Sequence, residues 1–481
     1  MHLVKDIVQR ATALLLCVSL VAAIKKRDMD MGDDGDRPEF HPINAGSKTF
    51  HWILTLFLLL IIPSISTSLA VANRLHWSLL LQYISTTYSV IESMFVDFPD
   101  NVDNHENRTS KGTSWFLSIL LGITIFMGTL INGSNLVINK FYPQLAKHYN
   151  EYGLHYKIYK ILSLLCVFTG WVRVCMAPVA LFGFCYGKHT GQCIAHGIMG
   201  SAFILYSFIL SVVLVVPWIR KHQLHQQNAN MAKFQSQEFY DSTVMMVWGI
   251  VNTFTEHRWG REGWNMGDYQ HTAMGIIWWG GGLLGMWLSR NNKRSFVPSL
   301  LLIYTGWSMS QHFQHSEVST RVHAMFGTAL MSAGVTRIIE ISFVLKDRAC
   351  HLPLGKIVSF QYLPPFCLTL SGILFMSATE EQLQLVEDLG SDHSAYILVV
   401  ASAGFLIFLW IQLSIWLYLK LVGYDEDGEL RGGNFAAYSS VNNDDFELGD
   451  LSGAEDNRFD IDDGGEVDED GITTPEGTDR L

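Results

Sequence analysis

Imidazoles and carboxylates collect at the edges of apolar segments in the second half of this chain. Glu256 and His257 close one segment. Asp268 and His271 open the next, three residues apart and so on one helix face. His312 closes a third, His315 and Glu317 follow it, and His323 opens the one after. Glu380 and Glu381 close the next segment, and His393 opens the last. Imidazole nitrogen and carboxylate oxygen suit Zn, Fe or Cu, and three or four such donors make a site. The candidate metal ligands are therefore His257, Asp268, His271, His312, His315, His323 and His393. Ionisable side chains within a bilayer are costly unless partnered, which makes function the default reading. Helix ends are also where they cost least, so each histidine alone reads equally well as interfacial. There is no HExxH, no CxxC pair and no phosphate-binding loop, so no reaction class is marked.

Deeper in apolar sequence, Arg337 and Glu340 stand at i, i+3 and are expected to pair, while Arg173 has no partner nearby in sequence. Gly275, Gly280, Gly281, Gly282 and Gly285 lie among Trp278, Trp279 and Trp287. Gly281-x-x-x-Gly285 is a spacing that lets two helices approach closely, and a flat cofactor against Gly and Trp is the alternative. Cys185 and Cys193 share one short polar segment and suit a single disulfide in an oxidising compartment.

These residues need apolar elements to position them. The 481-residue chain is 49 % hydrophobic and only 16 % charged, with a mean hydropathy of +0.20. Apolar runs of about 20 residues recur, each long enough for a hydrocarbon core of about 30 Å. This pattern excludes a soluble enzyme, a nucleic-acid binder and an outer-membrane barrel, whose strands are only about 10 residues. The expected fold is all-α: a polytopic transmembrane helical bundle of about eleven spans. The spans fall at roughly 51–73, 77–96, 114–137, 158–183, 194–218, 241–256, 268–289, 296–313, 322–345, 357–377 and 394–420. The weakest is 77–96, interrupted by Gln82, Ser85, Thr86, Thr87, Ser89 and Glu92. A polar, Gln-rich stretch at 219–240 divides an N-terminal bundle (51–218) from a C-terminal one (241–420).

Residues 1–23 read as a signal peptide, with Lys5 and Arg10 before the apolar run Ala11 to Ala23. An acidic Met/Asp linker covers 24–50. Eleven spans then put the mature N-terminus in the lumen and the C-terminus in the cytosol. The loop charges agree. Lys140, Lys147, Lys157, Arg220, Lys221, Arg290, Lys293, Arg294, Lys346 and Arg348 fall on the expected cytosolic side, and Glu380, Glu387, Asp388 and Asp392 on the lumenal side. Asn107 in Asn-Arg-Thr is the expected glycan acceptor. From Leu421 to Leu481 the chain carries 19 acidic residues against three arginines, a composition that cannot bury enough apolar surface to fold alone. Within this tail Tyr438-Ser439-Ser440-Val441 offers a tyrosine and an aliphatic residue at the spacing a cytosolic sorting adaptor binds.

The stretches EHRWGREGWNMGDYQHTAMGIIWWGGGLLGMWLSR (256–290), SMSQHFQH (308–315), STRVHAMFGTALMSAGVTRIIEISFVL (319–345) and FMSATEEQ (375–382) resemble the fungal Ytp family of integral membrane proteins over about 246–420. The segment near 41–160, with His51, His76 and YPQLAKHYNEYGLHYK (142–157), resembles the N-terminal domain paired with it, itself distantly similar to di-haem cytochrome b proteins. That resemblance implies haem ligation, with His51 and His196 as the lumenal-edge candidates. His51 and His76 are 25 residues apart, about 37 Å of helix at 1.5 Å per residue. That exceeds the core, so a trans-membrane haem pair is disfavoured and a single lumenal haem b or transition-metal site remains. The leading expectation is a membrane redox or metal-binding protein of the secretory pathway. The alternatives are a metal-dependent membrane hydrolase, with His271, His312 and His323 as ligands and Glu256 or Asp268 as base, and a non-catalytic trafficking protein.

Overall fold

A computed structural model describes residues 45–95, 105–141, 153–182, 184–185, 190–217, 219, 235–255, 264, 266–311, 316–345 and 357–424. The expected signal peptide, the middle of the 219–240 linker, His257, His312, His315 and the acidic tail beyond Tyr424 lie outside these residues.

No β-strand occurs among the described residues. Helix α1 runs as Ala45–Thr55, a π turn Leu56–Ile61 and Ile62–Val71. It is followed by α2 (Leu75–Phe95), α3 (His105–Phe141), α4 (Leu154–Phe182), α5 (Thr190–Val215), α6 (Gln237–Thr255), α7 (Met266–Ser289) and α8 (Val297–Ser310). Helix α9 (Glu317–Ile339) continues through a π turn, Glu340–Val344. Helix α10 (Leu363–Met376) is preceded by a 3-10 turn, Ser359–Tyr362, and α11 (Glu380–Asp388) and α12 (His393–Val422) complete the order. Seven of these segments, α1, α3, α4, α5, α9, α10 and α12, are long and apolar enough to cross a membrane. The protein is thus an integral membrane protein associated with the lipid bilayer.

Burial follows the bilayer rule rather than the soluble one. On α2, Ser78, Gln82, Ser85, Ser89, Glu92 and Ser93 are all at most 4 % exposed, at the three-to-four spacing of one helix face. The opposite face carries Trp77, Leu80, Ile84, Ile91, Met94 and Phe95 exposed. An apolar outside over a polar inside suits a hydrocarbon solvent and would be costly in water. Inward hydroxyls pair across helices, Ser78 with Ser66 of α1 (3.0 Å) and Tyr159 of α4 (2.9 Å), and Ser89 with Ser118 of α3 (2.7 Å), while the buried Ser85 hydroxyl has no hydrogen-bond partner. The polar residues that interrupt 77–96 in the sequence are the stripe that α2 turns inward.

Sequential helices pair as hairpins, α1 with α2, α3 with α4, α6 with α7 and α8 with α9, while α5 packs on α10. Small residues set the approach. A Cβ added at Gly200 of α5 would fall 2.5 Å from the Gly372 carbonyl of α10, and one at Gly372 would fall 2.6 Å from that of Gly200. A Cβ at Gly282 of α7 would fall 2.6 Å from the Met246 amide of α6. The glycine run of α7 is a packing surface, except Gly280, which faces open space. In α1 the π turn has a local cause: Pro63 has no N–H to offer the Leu59 carbonyl.

Candidate functional site

At one end of the bundle stand the first turns of α1, α5 and α9 and the last turns of α2 and α4. His51 of α1 is held on both ring nitrogens. Nε2 lies 3.0 Å from Glu92 of α2 and Nδ1 lies 3.2 Å from the Tyr88 hydroxyl. Arg173 of α4 donates to the same Glu92 carboxylate, and Ser114 of α3 donates at 3.3 Å. Four helices thus converge on one carboxylate that is 3 % exposed. The partner that Arg173 lacks in sequence is Glu92, 81 residues away. The set neutralises a buried cation and anion mutually.

His196 of α5 and His323 of α9 meet at the same end, with ring centroids 6.4 Å apart and planes 85° apart. Both are buried, at 8 % and 4 % exposure. Each Nδ1 sits against the carbonyl four residues earlier, His196 on Gln192 at 2.8 Å and His323 on Ser319 at 2.9 Å. A carbonyl only accepts, so both rings carry their proton on Nδ1 and their lone pair on Nε2. That tautomer, fixed by a backbone carbonyl, is how metal-ligating imidazoles are oriented. Phe375 of α10 stacks on His196 at 4.4 Å and packs on Phe326 of α9 at 4.7 Å, so aromatic rings wall the pair from the bundle interior.

The disulfide Cys185–Cys193, with Cα atoms 5.4 Å apart, lies between α4 and α5. Glu381 of α11, 3 % exposed, accepts the Cys185 backbone N–H. The covalent loop and the short helix are therefore tied together beside the start of α5.

The other expected ligands are spread over this end. Asp268 and His271 share the first turns of α7, and His393 begins α12, where it pairs with Asp392 at 3.2 Å. Among the described residues no group of three or more His, Cys, Asp or Glu could hold a metal ion. Of the residues expected to hold a metal or cofactor, His196 and His323 are the described pair whose rings meet. His51 does not fit a haem, because Glu92 and Tyr88 engage both its ring nitrogens. Asn107 falls in the first turn of α3, four residues before the apolar stretch Lys111–Asn135. At 37 residues α3 is about 55 Å long and projects beyond a membrane core.

Arg337 and Glu340 of α9 pair at 2.6 Å, as their spacing predicts. Sequence reasoning missed their larger setting at the opposite end of the bundle, where Glu238 of α6 and Arg294 before α8 join them. The available signal was Glu238 itself, an acid one residue inside a helix that then turns apolar.

A family model described as YTP1-like protein, C-terminal, matches residues 169–419. It begins earlier than the 246 expected from sequence and takes in α5, the helix that packs on α10. Protein YTP1 of Saccharomyces cerevisiae is 51 % identical over 91 % of this chain and 93 % of its own length. An uncharacterized membrane protein of Schizosaccharomyces pombe is 26 % identical over 46 % of this chain and 50 % of its own length. A second uncharacterized membrane protein, of Saccharomyces cerevisiae, is 27 % identical over 31 % and 27 %. No solved structure matches the chain. The chain therefore belongs to the YTP1-like family of membrane proteins.

Proposed function

We propose that this protein is a transition-metal-binding, redox-type membrane protein of the secretory pathway, with its metal held by Nε2 of His196 and His323. The observation that carries the reading is the meeting of these two buried rings, each with Nδ1 against its own i−4 carbonyl. Two imidazoles leave coordination positions open, as metal sites that do chemistry require. His312 and His315, which lie outside the described residues and precede Ser316 in sequence, are the proposed source of a third donor. The metal supplies electron exchange or Lewis acidity, and the chain supplies orientation through Gln192 and Ser319 and an apolar wall through Phe375 and Phe326. The reading places this end of the bundle in the lumen, with eleven crossings after a cleaved signal and a cytosolic tail open to a sorting adaptor. It is supported by the inward polar face of α2, the arrangement expected of a helix that crosses the bilayer. Elemental analysis of the purified full-length protein tests the assignment. Near-stoichiometric Cu or Fe is expected, lost in His323→Ala and in His196→Ala, with the double variant losing little more because ligands of one site act together. A wild-type protein that carries no metal, or single variants that keep it, would overturn the reading.

A further inference from the structure

At the end of the bundle away from the histidines, three carboxylates and two guanidiniums gather among the described residues. Glu238 of α6 is 1 % exposed. Its Oε1 accepts Arg294 Nη1 at 2.7 Å and Arg337 Nη2 at 2.9 Å. Arg337 Nη1 also donates to Glu340 Oε2 at 2.6 Å, and Gln361 Nε2 donates to Glu340 Oε1 at 3.2 Å. Two guanidiniums are thereby matched by two carboxylates. One helical turn along α6 from Glu238 stands a third carboxylate, Asp241, which has no ion pair with any described residue. Across the same cavity from it stands Tyr206 of α5.

Two further observations point to what the site holds. Glu238, Asp241, Tyr206 and Arg337 line one cavity of about 20 Å³, which Leu302 and Leu368 also border. A volume above about 10–15 Å³ admits one water molecule. The second oxygen of Glu238, Oε2, is buried with no hydrogen-bond partner. A buried carboxylate oxygen without a donor is costly, and among the described residues here three carboxylates share two guanidiniums. A metal cation would answer both needs but would lie beside the Arg337 guanidinium and be repelled by it. A proton answers both needs without that repulsion, because it removes the excess charge and supplies the missing O–H.

We propose that Asp241 is a proton-binding site, its carboxyl O–H donating across this cavity to Glu238 Oε2 through one water. The groups facing it are Tyr206 from α5, Glu238 on its own helix, Arg294 from the segment before α8, and Arg337 and Glu340 from α9. The proton exchanges with the aqueous phase at the end where α6 begins. The site is independent of the histidine pair, since His323 and Arg337 are 14 residues apart on α9, about 21 Å.

Infrared difference spectroscopy of the full-length protein in lipid nanodiscs tests this. The wild-type-minus-Asp241→Asn spectrum at neutral pH is expected to show the carbonyl stretch of one protonated carboxyl, shifted in D2O, whereas the wild-type-minus-Glu340→Gln spectrum is expected to lack it. If Asp241→Asn does not fold, Tyr206→Phe serves: it keeps the carboxyl and is expected to shift the same band by removing the hydroxyl that lines the cavity beside it. A protonated-carboxyl band absent from the wild type, or unchanged by Asp241→Asn and Tyr206→Phe, overturns the proposal. So does specific thermal stabilisation of the wild type by Na⁺ or K⁺ at fixed pH, which would make the occupant a cation.

Discussion

Glu92 shows what a single buried charge asks of its surroundings. With Arg173, His51 and Ser114 all directed at one carboxylate, removing Arg173 leaves a buried anion without its cation. Arg173→Ala is expected to destabilise the protein by roughly 3–5 kcal/mol, because it strands Glu92 in a low-dielectric interior. Glu92→Gln in the Arg173→Ala background is expected to recover part of that loss. Thermal unfolding of the single and double variants in one detergent checks the cycle, and additive losses would contradict the account. The histidines divide on the same chemistry. His51 has both nitrogens engaged by side chains and acts as a structural partner, whereas His196 and His323 are each oriented by a backbone carbonyl at Nδ1. That distinction depends on partners 37 and 41 residues away for His51, so it is not visible along the chain.

At the scale of elements, α2 carries the argument. Its inward stripe of Ser78, Gln82, Ser85, Ser89 and Glu92 and its outward Trp77, Leu80, Ile84 and Ile91 predict opposite accessibilities. A cysteine placed at Ile84 or Ile91 is expected to react with a lipid-soluble maleimide, and one at Ser85 or Ser89 is not; the reverse pattern would mean that α2 is rotated or lies outside the bilayer. On the α6–α7 face, Gly282→Val is expected to cost at least about 1–3 kcal/mol by overpacking, and Gly280→Ala close to nothing, since nothing lies within 4 Å of its added Cβ. Thermal unfolding of the two variants beside the wild type checks the contrast. Most of the helices were legible in the sequence, because a run of apolar residues is a local property. The long-range partners were not. Glu92 reads as an interruption of a span, and only the converging α1 and α4 turn it into an anchor. Asp268, His271 and His393 share an end of the bundle with His323, as topology requires, but the rotation of each helix about its axis decides contact, and that rotation is set by packing. The pairing of α5 with α10 was likewise hidden, since Gly200 and Gly372 are 172 positions apart.

For the molecule as a whole, the Glu92 set and the histidine pair lie at one end of the bundle and the Glu238 set at the other, inside an outer surface that is apolar. Phe405, Leu406, Leu409 and Leu413 of α12 are all more than half exposed. Helix α12 ends at Gly423, whose φ of 94° suits a residue without Cβ. The next residue, Tyr424, is buried at 7 % among Val216, Ile415 and Leu419. Its ring anchors the end of α12 to the body. Truncation after Tyr424 keeps that ring and is expected to leave a stable, inserted protein. Tyr424→Ala in the full-length chain removes it and is expected to lower thermal stability by roughly 3–5 kcal/mol, as loss of a large buried ring does. Size-exclusion chromatography and thermal unfolding distinguish the two, and equal stability of both would show that the ring contributes nothing.

The central claim is that a metal ion sits between His196 and His323. X-ray absorption at the metal edge of the purified wild-type protein addresses it directly. A first shell containing nitrogen at about 2.0–2.1 Å with the outer-shell scattering of two or more imidazoles is the expected result, with the imidazole signal falling in His323→Ala. A metal-free protein, or a bound metal whose shell is all oxygen or sulfur and unaffected by His323→Ala, would contradict it.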